Sequence, residues 1–297
     1  MVRSVIGDGL RPAAATLFFC LLCAVCFPSA GAAATTSSAG GVLKISGCSI
    51  SRSGYLDAVT DAFFLRTGIR VLLKGGGSAA GLLNLAAGVT DLAASCLPPE
   101  ADNIPANLRF TPVTQDALVF IVHPDNPVKG ITMDQARAVF SGRVVNWQEL
   151  GGLDLPLAIY LQYSSNLPME MGVPFTIRKE LLHGEPITTN PRLVIIRPSG
   201  GLVEEAVSRD RSAIGATGFT SARRKGDRYT MLAMDGVLPT RKTIISGAYP
   251  KRFRRLLYLA ATSQPPATAA RFLDFVLSDE GQAVISAAGA VSLSDLP

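Results

Sequence analysis

The sequence has few charged residues and almost no histidine. Charged side chains make up 17% of its 297 residues and histidine occurs twice, whereas 48% of the residues are apolar. A chain of this composition can bury a core and carries too few charges to stay disordered. His123 and His183 are far apart in the sequence and lack the spacing of metal ligands. The length allows one large domain or two medium ones.

Signatures of catalysis and of nucleic-acid binding are missing as well. We find no Ser-His-Asp order, no paired carboxylates and no P-loop, so we expect a protein that is not an enzyme and has no cofactor. The net charge is +5, but the basic residues are scattered, and the densest groups are residues 223–225 and 251–255. Groups this small are typical of solvated surfaces and do not predict nucleic-acid binding.

One apolar run stands out, and it lies near the N-terminus. Residues 13–27 are shorter than the roughly 20 residues that span a bilayer. Small residues follow, and residues 30–34 contain two small-x-small matches to a signal-peptide cleavage site. We expect residues 1–34 to be a signal peptide, residues 35–41 to be a flexible lead, and the mature protein to be periplasmic or secreted. The alternative is an uncleaved anchor.

Cysteine is scarce outside that run. Only Cys48 and Cys96 remain in the expected mature chain. An oxidising compartment permits a disulfide between them. They follow the first and third predicted strands, which can be neighbours in a doubly wound sheet. The alternative is two separate, partly buried thiols.

Strand and helix patterns alternate along the first hundred residues. Residues 42–45, 69–73 and 91–94 are predicted strands, and the first is followed by a Gly/Ser loop through Gly54. Helical patterns lie between the strands, the second with Ser78 as its predicted N-cap. This βαβ order predicts a parallel α/β sheet.

The order of the remaining elements predicts two lobes. The long extended segment 112–122 would carry the chain out of the first lobe, and residues 221–240 would bring it back. We expect lobe one to comprise residues 42–121 plus 222–297 and lobe two residues 122–221. A hinge of two crossings permits closure on a ligand.

Six segments of the sequence together form a recognisable pattern. They are Gly75–Gly81 with Gly88 and Asp91; Asp116–Val128; Val139–Arg143 with Asn146, Trp147, Gly151 and Gly152; Ala213–Gly215; Gly247–Pro250; and Phe272–Ser278 with Glu280–Gln282. In this order they resemble the phosphate-type solute-binding proteins of ABC transporters, over residues 42–292. The resemblance implies an α/β, two-lobe type II periplasmic-binding-protein fold with two hinge crossings.

The resemblance also implies a ligand and a partner. The family holds phosphate or a related oxyanion between its lobes, at strand ends and helix N-termini, and delivers it to permease subunits; we expect a monomer. Helix N-termini suit anions because they offer free N–H donors and partial positive charge. By position, the implied ligand-binding residues are Ser49, Ile50, Gly77, Ser78, Ala79, Ser95 and Cys96 in the first lobe and Gln162, Ser164, Ser165 and Asn166 in the second.

The sequence departs from the family pattern in the second lobe. Gln162 stands where the family has an arginine, and Cys96 stands where a serine or aspartate is common. A buried dianion needs donors and balancing charge. We therefore expect phosphate binding to be weak or replaced, with Arg52 as a compensating cation. The alternative function is a sensor or accessory domain of the cell envelope with altered or lost phosphate binding.

Overall fold

The computed structural model describes residues 41–163, 169–170 and 172–296, which belong to one compact unit. The strands are β1 (Val42–Gly47), β2 (Arg70–Lys74), β3 (Leu92–Ser95), β4 (Leu108–Val122), β5 (Gly130–Ile131), β6 (Ala158–Gln162), β7 (Val194–Arg197), β8 (Ala213–Gly218), β9 (Thr230–Met231), β10 (Ala233–Met234), β11 (Arg254–Thr262) and β12 (Val291–Ser292). The α-helices are α1 (Ser49–Ser51), α2 (Asp57–Thr67), α3 (Ser78–Ala86), α4 (Met133–Phe140), α5 (Gly172–Thr176), α6 (Gly200–Val207), α7 (Phe219–Arg224), α8 (Arg241–Ser246), α9 (Ala267–Leu277) and α10 (Asp279–Ala287). In this part of the chain no helix is long and apolar enough to cross a bilayer.

The first group of strands is built around β1. It lies between β2 and β3 and is parallel to both, and β11 pairs antiparallel with β3 and with the first part of β4. Gly47 lies beside Ala94 in the β1–β3 register. The predicted βαβ alternation is confirmed, and so is the prediction that the first and third strands are neighbours.

The long strand β4 connects this group to a second one. Its first part pairs with β11, and its last residues, Leu118–Val122, pair antiparallel with β8. Strand β6 lies between β8 and β7 and is parallel to both. A single strand therefore runs through both groups, as expected for a crossing segment between two lobes.

Two short strands bear on where the chain returns to the first lobe. Strand β9 pairs with the end of β4, and β10 pairs with β5. Residues 230–234 thus stay beside the second group of strands. The lobe bounds stay a prediction, and on these pairings we propose a return after residue 234 rather than at residue 222.

The segment after β1 differs from the predicted Gly/Ser loop. Helix α1 begins at Ser49, and a π-helical turn, Arg52–Leu56, joins it to α2. Gly54 lies inside this helical segment, where an added Cβ would come within 2.4 Å of Thr220 Cγ2. The glycine is explained by close packing against α7 and not by a loop.

Aromatic side chains occupy the core on both sides of β4. Phe63 of α2 packs edge-on against Phe272 of α9, with ring centroids 5.0 Å apart. Phe120 of β4 packs in the same way against Phe253, with centroids 5.7 Å apart. Trp147 is buried and its Nε1 donates to the carbonyl of Ser212 at 2.7 Å. These contacts join α2 to α9 and hold β4 and Trp147 in the core.

Candidate ligand-binding site

A small cavity lies where the loops after β1 and β3 face residues of the second group of strands. Its volume is about 10 Å³, the space that a single water molecule needs. It is lined by Cys48, Ser49, Ile50, Gly77, Ser78, Cys96, Gln162, Gly172 and Gly200. A tetrahedral oxyanion is larger than this space, so the surrounding groups must move apart to admit one.

The structure brings together most of the residues predicted from the sequence. Six of them line this cavity, namely Ser49, Ile50, Gly77, Ser78, Cys96 and Gln162. Ala79 and Ser95 are fully buried next to it and are not part of its lining. Ser164, Ser165 and Asn166 lie outside the described residues.

The start of α3 differs from the prediction that Ser78 is its N-cap. The N-cap is Gly77, at φ +93°, and no side chain caps the helix. The Ser78 hydroxyl instead accepts the N–H of Cys96 at 2.9 Å and lies 3.3 Å from the Cys96 Sγ. The first N–H groups of a helix have no intrahelical acceptor, so α3 presents uncapped donors and partial positive charge at the cavity wall.

The side chain of Ser95 is used within its own turn. Its hydroxyl donates to the Leu97 carbonyl at 2.9 Å and accepts the Leu97 N–H at 3.0 Å. Ser95 is therefore a residue that shapes the turn after β3, and Cys96 is the residue of that turn that reaches the cavity.

Gln162 brings an amide donor to the cavity from the end of β6. The residue is 8% exposed, and its Nε2 has no hydrogen-bond partner among the described residues. A buried donor without a partner carries a desolvation penalty, which a bound acceptor would relieve. No lysine or arginine is among the described residues that line this cavity. Arg52, the predicted compensating cation, lies 3.6 Å from Asp57 with its side chain half exposed.

Cys48 and Cys96 are both free and buried. The Cys96 side chain lowers the pKa of Cys48 to about 6. Burial opposes that shift, while the N–H of Ser51 and the charge of Arg255 support it. The Cys48 side chain, together with burial, raises the pKa of Cys96. Of the two thiols, Cys48 is therefore the one that ionises more readily.

Behind the cysteines lies a buried ion pair. Arg255 has a side chain that is 8% exposed, and its Nε and Nη2 donate to Asp116 Oδ2 at 3.1 and 3.0 Å. Asp116 Oδ1 accepts both the N–H and the hydroxyl of Thr220 at 2.9 Å. Burial disfavours the guanidinium charge, but the Asp116 carboxylate raises the pKa of Arg255. The positive charge of Arg255 is thus already balanced by the Asp116 carboxylate.

A larger cavity of about 310 Å³ lies on the other side of Cys96. Its wall carries the cations Lys179, Arg252, Arg254 and Arg255, the acids Glu100 and Glu180, and the rings of Phe175 and Tyr258. The small cavity therefore lacks cationic lining residues, while its neighbour has them. Among the described residues, no cluster of three or more His, Cys, Asp or Glu side chains is placed to hold a metal ion.

Sequence reasoning missed Gly172 and Gly200 in the cavity wall. An added Cβ on Gly172 would lie 2.3 Å from Cys96 Sγ, so the backbone of α5 presses directly against that thiol. Gly200 follows Ser199, whose hydroxyl accepts the N–H of Leu202 as the cap of α6. A serine followed by two glycines before a helix was a usable signal for Gly200, whereas nothing in the sequence points to Gly172.

Comparison with known proteins places the chain in a family. A family model described as a PBP superfamily domain matches residues 32–280. The chain belongs to the PBP superfamily. Its fold is that of the type II periplasmic-binding proteins, as expected from the sequence resemblance.

Individual relatives agree with this membership. The chain is 28% identical over 261 residues to the phosphate-binding protein PstS of Bacillus subtilis, covering 87% of this chain and 83% of that protein. A chain from Clostridium perfringens, described as a phosphate ABC transporter substrate-binding protein and solved with bound phosphate, superposes with a TM-score of 0.74 at 23% identity. That match covers 85% of this chain and 99% of the other. An ABC-type phosphate transport receptor from Vibrio cholerae superposes with a TM-score of 0.63 at 20% identity, covering 84% and 99%.

Proposed function

We propose that this PBP-superfamily protein is the substrate-binding component of an ABC transporter for phosphate or a related oxyanion. The observation that carries the proposal is the convergence on one cavity of the uncapped N-terminus of α3, the Ser78 hydroxyl and the unpartnered Gln162 amide. All of these are hydrogen-bond donors. Neutral donors at a helix N-terminus can bind an anion without a lysine or arginine beside it. Relatives named as phosphate-binding proteins support the same ligand class.

The proposed binding cycle follows from the two groups of strands. Gly77, Ser78 and Cys96 come from the first group, while Gln162 and Gly200 come from the second. Separation of the two groups about β4 opens the cavity, and an anion that bridges both sets of donors favours the closed form. The protein then delivers the anion to permease subunits and acts as a carrier without catalysis, as a monomer. Residues 1–34 lie outside the described residues, and we propose that they direct export to the periplasm or beyond.

We expect phosphate to bind with a dissociation constant in the micromolar range or weaker. The cavity supplies neutral donors, and hydrogen bonds from charged donors are roughly twice as strong as neutral ones. Isothermal titration of the purified protein with phosphate, with sulfate in parallel, measures this directly. Submicromolar phosphate binding would contradict the expectation and make Arg52 the first residue to substitute.

The alternative function is an envelope sensor or accessory domain with altered or lost phosphate binding. The described residues that line the small cavity include no lysine or arginine, which favours this alternative. The same titration separates the two functions. Saturable phosphate binding supports the transport component, and no saturable heat with either anion supports the accessory domain.

Gly172→Ala is expected to weaken phosphate binding by about tenfold or more, since the new Cβ would lie 2.3 Å from Cys96 Sγ and hold α5 away from the first group of strands. Gly201→Ala is the matched control, because a Cβ there meets no atom within 4 Å. Titration with phosphate and thermal unfolding of both variants test this. Equal affinities in the two variants would show that α5 does not need to approach Cys96 for binding.

A further inference from the structure

Cys48 and Cys96 share the wall of the candidate cavity because they follow neighbouring strands. Strands β1 and β3 are parallel neighbours, and the Cys48 N–H donates to the Ala94 carbonyl at 2.9 Å. Gly47 pairs with Ala94, so Cys48 lies beside Ser95 and Cys96 is one residue further along. With strands roughly 4.8 Å apart and a rise of about 3.3 Å per residue, the two Cα atoms stay within the separation of about 4.4–6.8 Å that a disulfide requires. Both residues line the same small cavity.

We propose that Cys48 and Cys96 are a reversible dithiol–disulfide pair, and that their oxidation increases the affinity of the cavity for an oxyanion. The second part of this proposal rests on the proposed function. The first part, the formation of the disulfide, stands on the placement of the two cysteines alone.

The surroundings of the two sulfurs assign different roles to them. Cys48 is the N-cap residue of α1, and the lowered pKa of its thiol makes it the more readily ionised of the two. Cys96 is held as the thiol, with its Sγ 3.3 Å from the Ser78 hydroxyl. Cys48 is therefore the attacking sulfur and Cys96 the resolving one.

The oxidant is a low-molecular-weight disulfide, such as oxidised glutathione. The Cys48 thiolate attacks one sulfur of this disulfide, forms a mixed disulfide and releases one thiolate. Cys96 then loses its proton to that thiolate and attacks the Cys48 sulfur, which releases the second thiolate. The protein gives up two electrons and one proton, and one molecule of the oxidant is reduced to two thiol groups, one of them still ionised.

Access to the sulfurs requires the cavity to open. Cys48 is 3% exposed and Cys96 is 5% exposed. The backbone of α5 at Gly172 covers Cys96 so closely that an added Cβ would lie 2.3 Å from its sulfur. Exchange therefore takes place in the open, ligand-free form.

Oxidation changes the charge that an incoming anion meets. A thiolate on Cys48 is a negative charge in a buried wall with no lysine or arginine among its described lining residues, so it repels a phosphate dianion. A disulfide has no charge, and its S–S bond of about 2.05 Å draws the two sulfurs together. The Ser78 hydroxyl, which lies 3.3 Å from Cys96 Sγ in the reduced form, then becomes available to the anion.

Differential alkylation followed by mass spectrometry tests the disulfide. The protein is incubated with dithiothreitol or with oxidised glutathione, and the free thiols at Cys48 and Cys96 are then quantified after denaturation. We expect both positions to be alkylated after reduction and neither after oxidation. Free thiols at both positions after oxidation would overturn the proposal.

Phosphate titration of the same two samples tests the effect on affinity. We expect the oxidised protein to bind about tenfold more tightly or better. The Cys48→Ser/Cys96→Ser double variant should bind near the oxidised level and should not respond to reductant, which separates the loss of charge from general oxidation damage. Equal phosphate affinity of the reduced and oxidised proteins would overturn the proposal that oxidation increases affinity. A third outcome is that the disulfide forms but no phosphate binds to the reduced protein, the oxidised protein or the double variant. The proposed function would then fail, and the redox effect on affinity would fail with it. The alkylation result would still establish the disulfide.

Discussion

Arg255→Met is expected to lower the free energy of unfolding by about 3–5 kcal/mol, because it leaves a buried carboxylate without its partner. Asp116 is fully buried, and Arg255 donates to it through both Nε and Nη2. The pair joins β4 to β11, and Thr220 at the start of α7 donates to the same carboxylate. The effect should therefore reach both groups of strands. Guanidinium unfolding followed by circular dichroism gives the measurement.

Arg178→Met is the matched control for that prediction. Arg178 pairs with Glu170 at 2.9 Å, but both side chains are 32% exposed, and pairs of this kind contribute about 0–1 kcal/mol. A second variant, Asp116→Leu with Arg255→Met, should recover part of the loss since it leaves no unpaired buried charge. An Arg255→Met protein that is as stable as Arg178→Met would show that water reaches Asp116.

The strand order of the first lobe could be predicted because its signals are local. Residues 42–45 and 91–94 are short apolar runs bounded by glycine, serine or proline, and such runs are typical of buried parallel strands. The neighbour relation of β1 and β3 follows from the connectivity of a doubly wound sheet. It depends on no single side chain, and the structure confirms it.

The details of the candidate site could not be predicted because they depend on tertiary contacts. Ser78 is an excellent N-cap by residue type, yet its hydroxyl is used by the N–H of Cys96, which is 18 residues away. Gly54 and Gly172 are glycines because Thr220 and Cys96 press against them, and the sequence does not record those distances. A hydroxyl can serve a local cap or a distant strand equally well, and only the fold decides between the two.

The residue pattern did identify the part of the cavity that lies on strand ends. Ser49, Ile50, Gly77 and Ser78 were named from their positions after β1 and β2, and all four line one cavity. The second-lobe side was predictable only at Gln162, because a strand precedes it. A ligand contact at any of these positions stays a prediction until binding is measured.

Gly47→Ala is expected to be severe for both stability and binding. Gly47 has φ +135°, a region open almost only to glycine, and an added Cβ would lie 2.1 Å from the carbonyl oxygen of Ala94. Backbone strain of about 1–3 kcal/mol and overpacking of about 1–3 kcal/mol together predict a loss of about 2–6 kcal/mol. That carbonyl also accepts the Cys48 N–H, so the variant moves the end of β1 and with it Cys48, Ser49 and the cavity wall.

Gly68→Ala isolates the contribution of backbone strain from that of the clash. Gly68 also has a positive φ, +72°, but a Cβ there meets no atom within 4 Å, so only the left-handed penalty of about 1–2 kcal/mol applies. Thermal unfolding of the two variants should give a larger loss for Gly47→Ala, and phosphate titration should detect binding in Gly68→Ala alone. If the phosphate affinity of Gly47→Ala equalled that of Gly68→Ala, the end of β1 would not be part of the binding site. The cavity between the two groups of strands would then have to bind its anion through α3 and Gln162 only.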